Sequence, residues 1–381
     1  MDAVIMCESQ GSVKLQDHFE SLTDPRRGEP VYPLVNIVVI AVCGVICGAE
    51  DFVAIAEFGR RKRKWLDKFL DLSSGVPSHD RFNYVLAHIR PEEFERCLLS
   101  WISALHQVSG GQLIAIDGKT LRRSYDRGDS RAAIHMVSAW ASENHISLGQ
   151  VVTDEKSNEI TAIPELLRML EIGGSLVTID AMGCQTQIAK QIVSQKADYV
   201  LAVKANQPTL YNGIVAHFEN YLSQDESYNG RSCYHTSEKS HGRVADRSYY
   251  ICRVPESLPD RDRWNGLRAI GMTINTTQRD GRETVEARYY ILSRHLTAKQ
   301  FSGAVRGHWT VENCLHWQLD VTFSEDQCRL RKGHAAANFS LLRRQALTLL
   351  KNEPTAKVGV KNKRLAAALD EDYLLKVLTA S

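Results

Sequence analysis

Asp117, in the segment IDGK, and Asp180, in IDAMG, each close a short apolar run that reads as a buried strand. Ligands of open α/β sheets gather at the carboxyl ends of strands, so aspartates ending neighbouring strands would stand side by side. Either one alone reads more simply as the cap of a turn after a strand; the pair points to a metal site. A third acid, Glu312 in HWTVENCLHW, lies on a helical stretch where His308, Glu312 and His316 share one face at i,i+4 spacing. A zinc protease would need HExxH, which is absent, and no further zinc ligand is suggested. The two histidines therefore read as packed or hydrogen-bonded residues beside Trp309 and Trp317. Three carboxylates on three core elements can hold two hard divalent ions, which activate a water or sugar hydroxyl and stabilise the leaving oxygen of an in-line phosphoryl displacement. All-oxygen ligation of this kind suits magnesium, with manganese as a substitute.

The basic residues agree with a phosphodiester substrate. Between Arg329 and Arg364, ten Lys or Arg stand against Glu353 alone, although the whole chain is nearly neutral at +2. The blander reading of that region is a basic helix face followed by a solvated segment, KVGVKNKR. Lys119, Arg122 and Arg123 add positive charge directly after Asp117. A second run, Arg60, Arg61, Lys62, Arg63 and Lys64, ends a helical stretch and reads equally well as a solvated helix end or as a DNA contact.

These side chains must be positioned by a chain of 381 residues, enough for two or three domains with a real core. At 43% hydrophobic and 24% charged residues it is ordinary globular protein, which excludes disordered and collagen-like classes. Nine scattered cysteines do not make a secreted disulfide framework, and a reduced, cytoplasmic protein, nucleoid-associated when bound to DNA, is expected. Cys43 and Cys47 lack a second ligand pair and read as small core residues. The apolar run from Leu34 to Ala49 includes Asn36 and is too short to span a bilayer, so a buried helix and no membrane partner are expected. Arg26 and Arg27 imitate a twin-arginine signal, but Glu29, Pro30 and Pro33 suit no such segment.

Residues 1–108 read as a compact helical domain. Pro33, Asp51, Ser78 and Pro91 (with Glu92 and Glu93) mark four helix starts, and VPSHDRFNYVL has a length compatible with a helix-turn-helix reader. In 109–206 the period changes: QLIAID, IHMVSAW and ISLGQVV suggest an antiparallel meander, and TAIPELLRML, SLVTID, CQTQIAKQIVSQ and DYVLAVKAN alternate helix and parallel strand. That order is the ribonuclease-H-like fold, an α/β mixed sheet with helices against it. Residues 207–300 read as a β-rich insertion, with Asp280-Gly281 as a hairpin signal. Helical signals return in 301–381, which should complete the core and add the basic C-terminal region.

With these segments in view, the sequence resembles bacterial insertion-sequence DDE transposases, specifically the H-repeat-associated group found with Rhs elements. The likeness covers nearly the whole chain. It runs through LQDHFESLTDPRRGEPVYPL, PSHDRFNYV, LIAIDGKTLRRS, TIDAMGCQ, VKANQPTL and HGR to RGHWTVENCLHWQLDVTFSEDQCRLRKGHAAANFSLLRR. It implies a catalytic, metal-holding triad of Asp117, Asp180 and Glu312, and a helical N-terminal domain that binds DNA. It further implies magnesium-dependent cleavage of double-stranded DNA at element ends, strand transfer into target DNA, and a homodimer on paired ends. Lys204, Asn206 and Gln207 match the family's KxNQ run and would orient the site and contact DNA, with packing at a strand end as the plainer reading. The family's signature around the glutamate departs here, with Val305, His308 and Leu319 where tyrosine, arginine and lysine would fall, and Arg306 would supply the phosphate contact instead. The HGR motif departs too: Arg243 is followed by Val244 and Ala245 where a glutamate is usual, which should alter DNA contacts or weaken a structural pair. Two other activities fit the same residues: a catalytically inactive DNA-binding relic of such an element, and a metal-dependent nuclease that cuts without joining.

Overall fold

The computed structural model describes residues 15–105, 111–122, 124, 133–153, 159–223, 232–240, 243–279 and 281–379. It opens on helices α1 (Leu34–Ile46), α2 (Phe52–Arg61), α3 (Arg63–Leu66), α4 (His79–His88) and α5 (Pro91–Leu105). Their starts follow local chemistry. The Asp51 carboxylate accepts the Ala54 N–H at 2.8 Å, the Ser78 hydroxyl accepts the Arg81 N–H at 3.3 Å, and Pro33 immediately precedes α1. Helix α1 is apolar all round and is accordingly buried from Asn36 to Ile46, the Asn36 amide donating to the Asp71 carbonyl. Among the described residues no helix is long and apolar enough to cross a membrane. A helix-turn-helix reader is not what the chain builds here: α3, anchored by buried Trp65 and Leu66, and an irregular segment up to Ser78 replace the tight turn between α2 and α4.

Strands β1 (Leu113–Thr120), β2 (His135–Ala141) and β3 (Ile146–Thr153) form the antiparallel meander. Helix α6 (Glu159–Met169) leads to β4 (Leu176–Ile179), and α7 (Thr186–Ser194) leads to β5 (Asp198–Val203), both strands running parallel to β1. This is the expected ribonuclease-H-like arrangement. Helix α8 (Pro208–Ser223), in a segment expected to be β-rich, precedes β6 (Ser232–Ser240), β7 (Arg243–Arg253), β8 (Ala269–Arg279) and β9 (Arg282–Leu292). The β-rich segment is not a separate appendage: β9 pairs antiparallel with β5, so one nine-stranded mixed sheet runs β3-β2-β1-β4-β5-β9-β8-β7-β6. Arg279 pairs with Arg282, leaving a two-residue hairpin loop; Gly281 has φ +73°, as such a loop requires, and Asp280 lies outside the described residues.

The chain ends in α9 (Ala298–His308), a π-helical turn (Val311–His316), α10 (Trp317–Val321), α11 (Ala335–Asn352), α12 (Val360–Leu369) and α13 (Glu371–Thr379). Alternation along β1 divides the core. Ile114 and Ile116 join α6, α7 and α8 on one face, while Ala115 joins the N-terminal helices and α11 on the other. The N-terminal helices and the C-terminal ones therefore share one core, in which Phe82, Phe94 and Phe339 are fully buried, each worth about 1.5–3 kcal/mol. A boundary at residue 108 separates segments of sequence but not of packing.

The C-terminal cations depart from the sequence reading as well. Arg343, Arg344, Lys363 and Arg364 are buried rather than displayed. Lys363 Nζ donates to the carbonyls of Leu350 and Glu353, Arg364 Nη2 donates to the Val45 carbonyl at 3.0 Å, and the guanidinium groups of Arg343 and Arg364 stack on Phe339 and Phe323. KVGVKNKR is not a loose solvated stretch either, because α12 begins within it.

Candidate active site

Register brings the two aspartates together. Ile116 on β1 pairs with Ile179 on β4, so Asp117 and Asp180 are the next residues on adjacent parallel strands. Asp180 Oδ1 accepts the N–H groups of Met182 (3.0 Å) and Gly183 (3.3 Å), a turn that fixes the carboxylate at the strand end. Two amides brace that loop: Asn206 Nδ2 donates to the Ala181 carbonyl at 2.7 Å, and Gln207 Nε2 to the Cys184 carbonyl at 3.0 Å. These two of the expected DNA-contacting residues thus grip protein backbone.

Beside Asp117, Gly118 leaves room for a buried pair, His135 and Glu159, whose Nε2 and Oε1 lie 2.5 Å apart. A Cβ at 118 would fall 2.3 Å from Glu159 Oε1 and 2.6 Å from His135 Nε2, so only glycine fits.

Glu312 is exposed and lies within the π-helical turn, the type of local widening that recurs at functional sites. Asp117, Asp180 and Glu312 line one cleft of about 510 Å³, together with Lys204, Arg288, His308 and Trp309. Among the described residues no three acidic, histidine or cysteine side chains converge tightly enough to cage an ion. Burial, then the Asp180 charge, with smaller contributions from Glu312 and Glu159, pushes the Asp117 carboxyl up to about 7. His316 Nδ1 lies 3.5 Å from Asp117 Oδ2, and burial, helped by the charges of Arg344 and Lys119, holds that imidazole down at about 3, hence neutral. His308 is also lowered by burial, and its Nδ1 lies 3.1 Å from Thr178 Oγ1.

The remaining expected DNA contacts divide. Lys119 faces inward: its ammonium is buried against Asp320 and Glu325, the latter at 2.8 Å, and it offers no surface to DNA. Arg122 is exposed, its Nε 3.3 Å from Asp326 Oδ2, whereas Arg123 lies outside the described residues. Arg60 and Arg61 both bind Glu57 at the surface, Lys62 reaches Glu371 at 3.2 Å, Arg63 contacts the Leu72 carbonyl, and Lys64 is exposed. Of Arg243 only the backbone is described, at the start of β7. Arg306 does not reach the carboxylate cleft. It pairs with Glu238, which also binds Arg247 at 2.9 Å, and all three line an adjoining groove of about 520 Å³. Glu238 stands directly across the β6–β7 ladder from Ala245, so an acid is present on that patch from the opposite strand. Arg288 and Glu286, in VEARYYILS, fall in a segment that the sequence marks only as β-rich. Its alternation already placed the two on one face.

A family described as transposase DDE domain matches residues 109–349, and one described as DDE_Tnp_1-associated matches residues 16–102. The chain is 41% identical over 375 residues to "H repeat-associated putative transposase YhhI" of Escherichia coli strain K12, covering 97% of this chain and 98% of that protein. It is 41% identical to "Putative transposase YncI" of Escherichia coli O157:H7, over 96% of this chain and 94% of that one. Among solved structures, the piggyBac transposase synaptic complex with hairpin DNA aligns at a TM-score of 0.39 and 12% identity, over 93% of this chain and 75% of that chain. On the match of sequence over nearly its whole length, the chain belongs to the family of transposases with a DDE domain.

Proposed function

We propose that the protein is a DNA transposase that cleaves at the ends of an insertion sequence and joins the freed 3′ end to target DNA. Asp117, Asp180 and Glu312 would be the catalytic acids. The observation that carries this reading is the meeting, in one cleft, of carboxylates from β1, the end of β4 and the π-helical turn. The donor set suits hard divalent cations such as magnesium, and the burial and neighbouring Asp180 charge that raise Asp117 are what a bound cation would offset. When bound, such ions supply activation of the attacking hydroxyl and charge stabilisation on the leaving oxygen. The protein's own part is orientation. The Asp180 turn and its Asn206 and Gln207 braces hold one acid rigid, and Gly118 with the pair beneath it holds the other. Neutral His308 and His316 add no charge that would compete for the acids. Double-stranded DNA, as element ends and target, is the substrate, with a homodimer bridging two ends.

The deciding experiment incubates purified protein with DNA carrying its flanking element end, with and without magnesium, beside Asp180→Ala. Magnesium-dependent cuts at the element boundary, at least about 1,000-fold weaker in the variant while DNA binding persists, are expected. Joined products separate a transposase from a nuclease. Magnesium should also raise the wild-type melting temperature, and less so that of the variant. Binding with no cut by the wild type would leave only the inactive relic.

A further inference from the structure

On the function proposed above, a positive side chain in the cleft would hold the phosphate being attacked, and α9, which leads to Glu312, does not provide one. Position 308 is a half-buried histidine, and Arg306 is bound to Glu238 in the adjoining groove. Among the described residues that line the cleft, Lys204 and Arg288 carry the positive charge. Arg288 comes from β9, the strand that joins the β-rich segment to the core sheet.

We propose that Arg288 is a phosphate-binding residue of this cleft, with Glu286 and Trp309 as its positioning residues. The proposal rests on the function proposed above and names the residue that takes the DNA backbone. Three observations support it. Arg288 Nε and Nη2 donate to the two oxygens of Glu286 at 2.9 and 3.0 Å, both residues facing the same way two apart on one strand. The guanidinium also lies over the Trp309 ring, 4.5 Å from its centroid, so the strand and the helix leading to Glu312 clamp it between them. Two of the fork's five donors are engaged by Glu286, and the others remain for a planar, two-point grip on phosphate oxygens. Finally, Arg288, Glu286 and Trp309 line both the carboxylate cleft and the adjoining groove, so they form the wall the two cavities share. A DNA strand leaving the acids past that wall enters a groove that carries Arg247 and Arg306. A side chain clamped in this way enters the complex with little rotamer freedom left to lose.

The test uses full-length protein and an element-end duplex, with binding measured by fluorescence anisotropy over a salt series without magnesium, and cleavage measured with it. Arg288→Gln should lower the slope of log affinity against log salt by about one and reduce kcat for cleavage about 100-fold. Arg288→Lys should keep the slope, because the charge remains, yet recover little of kcat, because the fork is gone. Trp309→Ala should leave the slope unchanged and lower kcat, as expected of a residue that aims another. Arg288→Gln with slope and kcat both within twofold of wild type overturns the proposal, as does Arg288→Lys restoring kcat in full. If wild type cuts no DNA, the transposase reading fails by itself, while the salt slope still decides whether Arg288 holds phosphate.

Discussion

Lys119 Nζ lies 2.8 Å from Glu325 Oε2, both side chains buried, and this contact ties β1 two residues beyond Asp117 to the segment after α10. Glu325 receives a second bond from the Ser340 hydroxyl of α11 at 2.7 Å, so strand, loop and helix meet on one carboxylate. Although burial alone would raise it, the charges of Lys119, Arg344 and Arg343 hold Glu325 down at about 2. Removing one partner strands the other as a buried charge. Lys119→Met should destabilise the fold by about 3–5 kcal/mol in urea or thermal denaturation, and Lys119→Met with Glu325→Gln should recover a large part of that. A single variant as stable as wild type would show that the pair contributes nothing.

Gly118 makes a sharper steric prediction. Gly118→Ala puts a methyl into the His135–Glu159 pair, both buried and with little room to retreat. A loss of about 1–3 kcal/mol is expected, as for other overpacked cores, and cleavage should fall with it because the neighbouring residue is Asp117. Adding Glu159→Ala together with His135→Ala removes both side chains the methyl meets, so on that background Gly118→Ala should cost little further stability if the collision is the cause. An undiminished cost on that background would place the strain elsewhere.

Glu95 gives a pH dependence away from the cleft. Its Oε1 accepts the Gln150 N–H at 2.6 Å where α5 crosses β3. Burial pushes its pKa from 4.5 up to about 8, against the smaller opposing effects of that bond and of Arg344. The folded state therefore retains a proton that the unfolded chain gives up. The stability due to this group is complete below about pH 4.5 and declines as pH rises towards 8. Glu95→Gln keeps the acceptor and removes the titration, so it should flatten the stability profile between pH 5 and 8 and gain about 3 kcal/mol at pH 7. Parallel profiles for variant and wild type would rule out a buried, protonated Glu95.

Much of this protein is legible from short-range signals alone. Strand-length apolar runs ending in Asp117 and Asp180 mark β1 and β4, Asp51 and Ser78 mark helix starts, and the meander followed by two helix–strand units specifies the order of β1 to β5. Such features depend on neighbours a few residues away, where periodicity and capping act, so sequence by itself determined them. Helix α8 carries the same kind of signal, with Leu210, Ile214 and Phe218 recurring every fourth residue, although the segment from 207 reads as β-rich as a whole.

What a charged side chain meets was decided only by the tertiary structure. Lys119, Arg343, Arg344, Lys363 and Arg364 count as positive charge in a sequence, and a basic run looks the same whether it faces solvent or a carboxylate two hundred residues distant. The same holds for β9 joining β5, which makes the β-rich segment part of the central sheet and carries Arg288 to the cleft. Pairing across such separations is chosen by the packing of whole faces and by the need to satisfy every buried charge, and neither is written in any local stretch of residues.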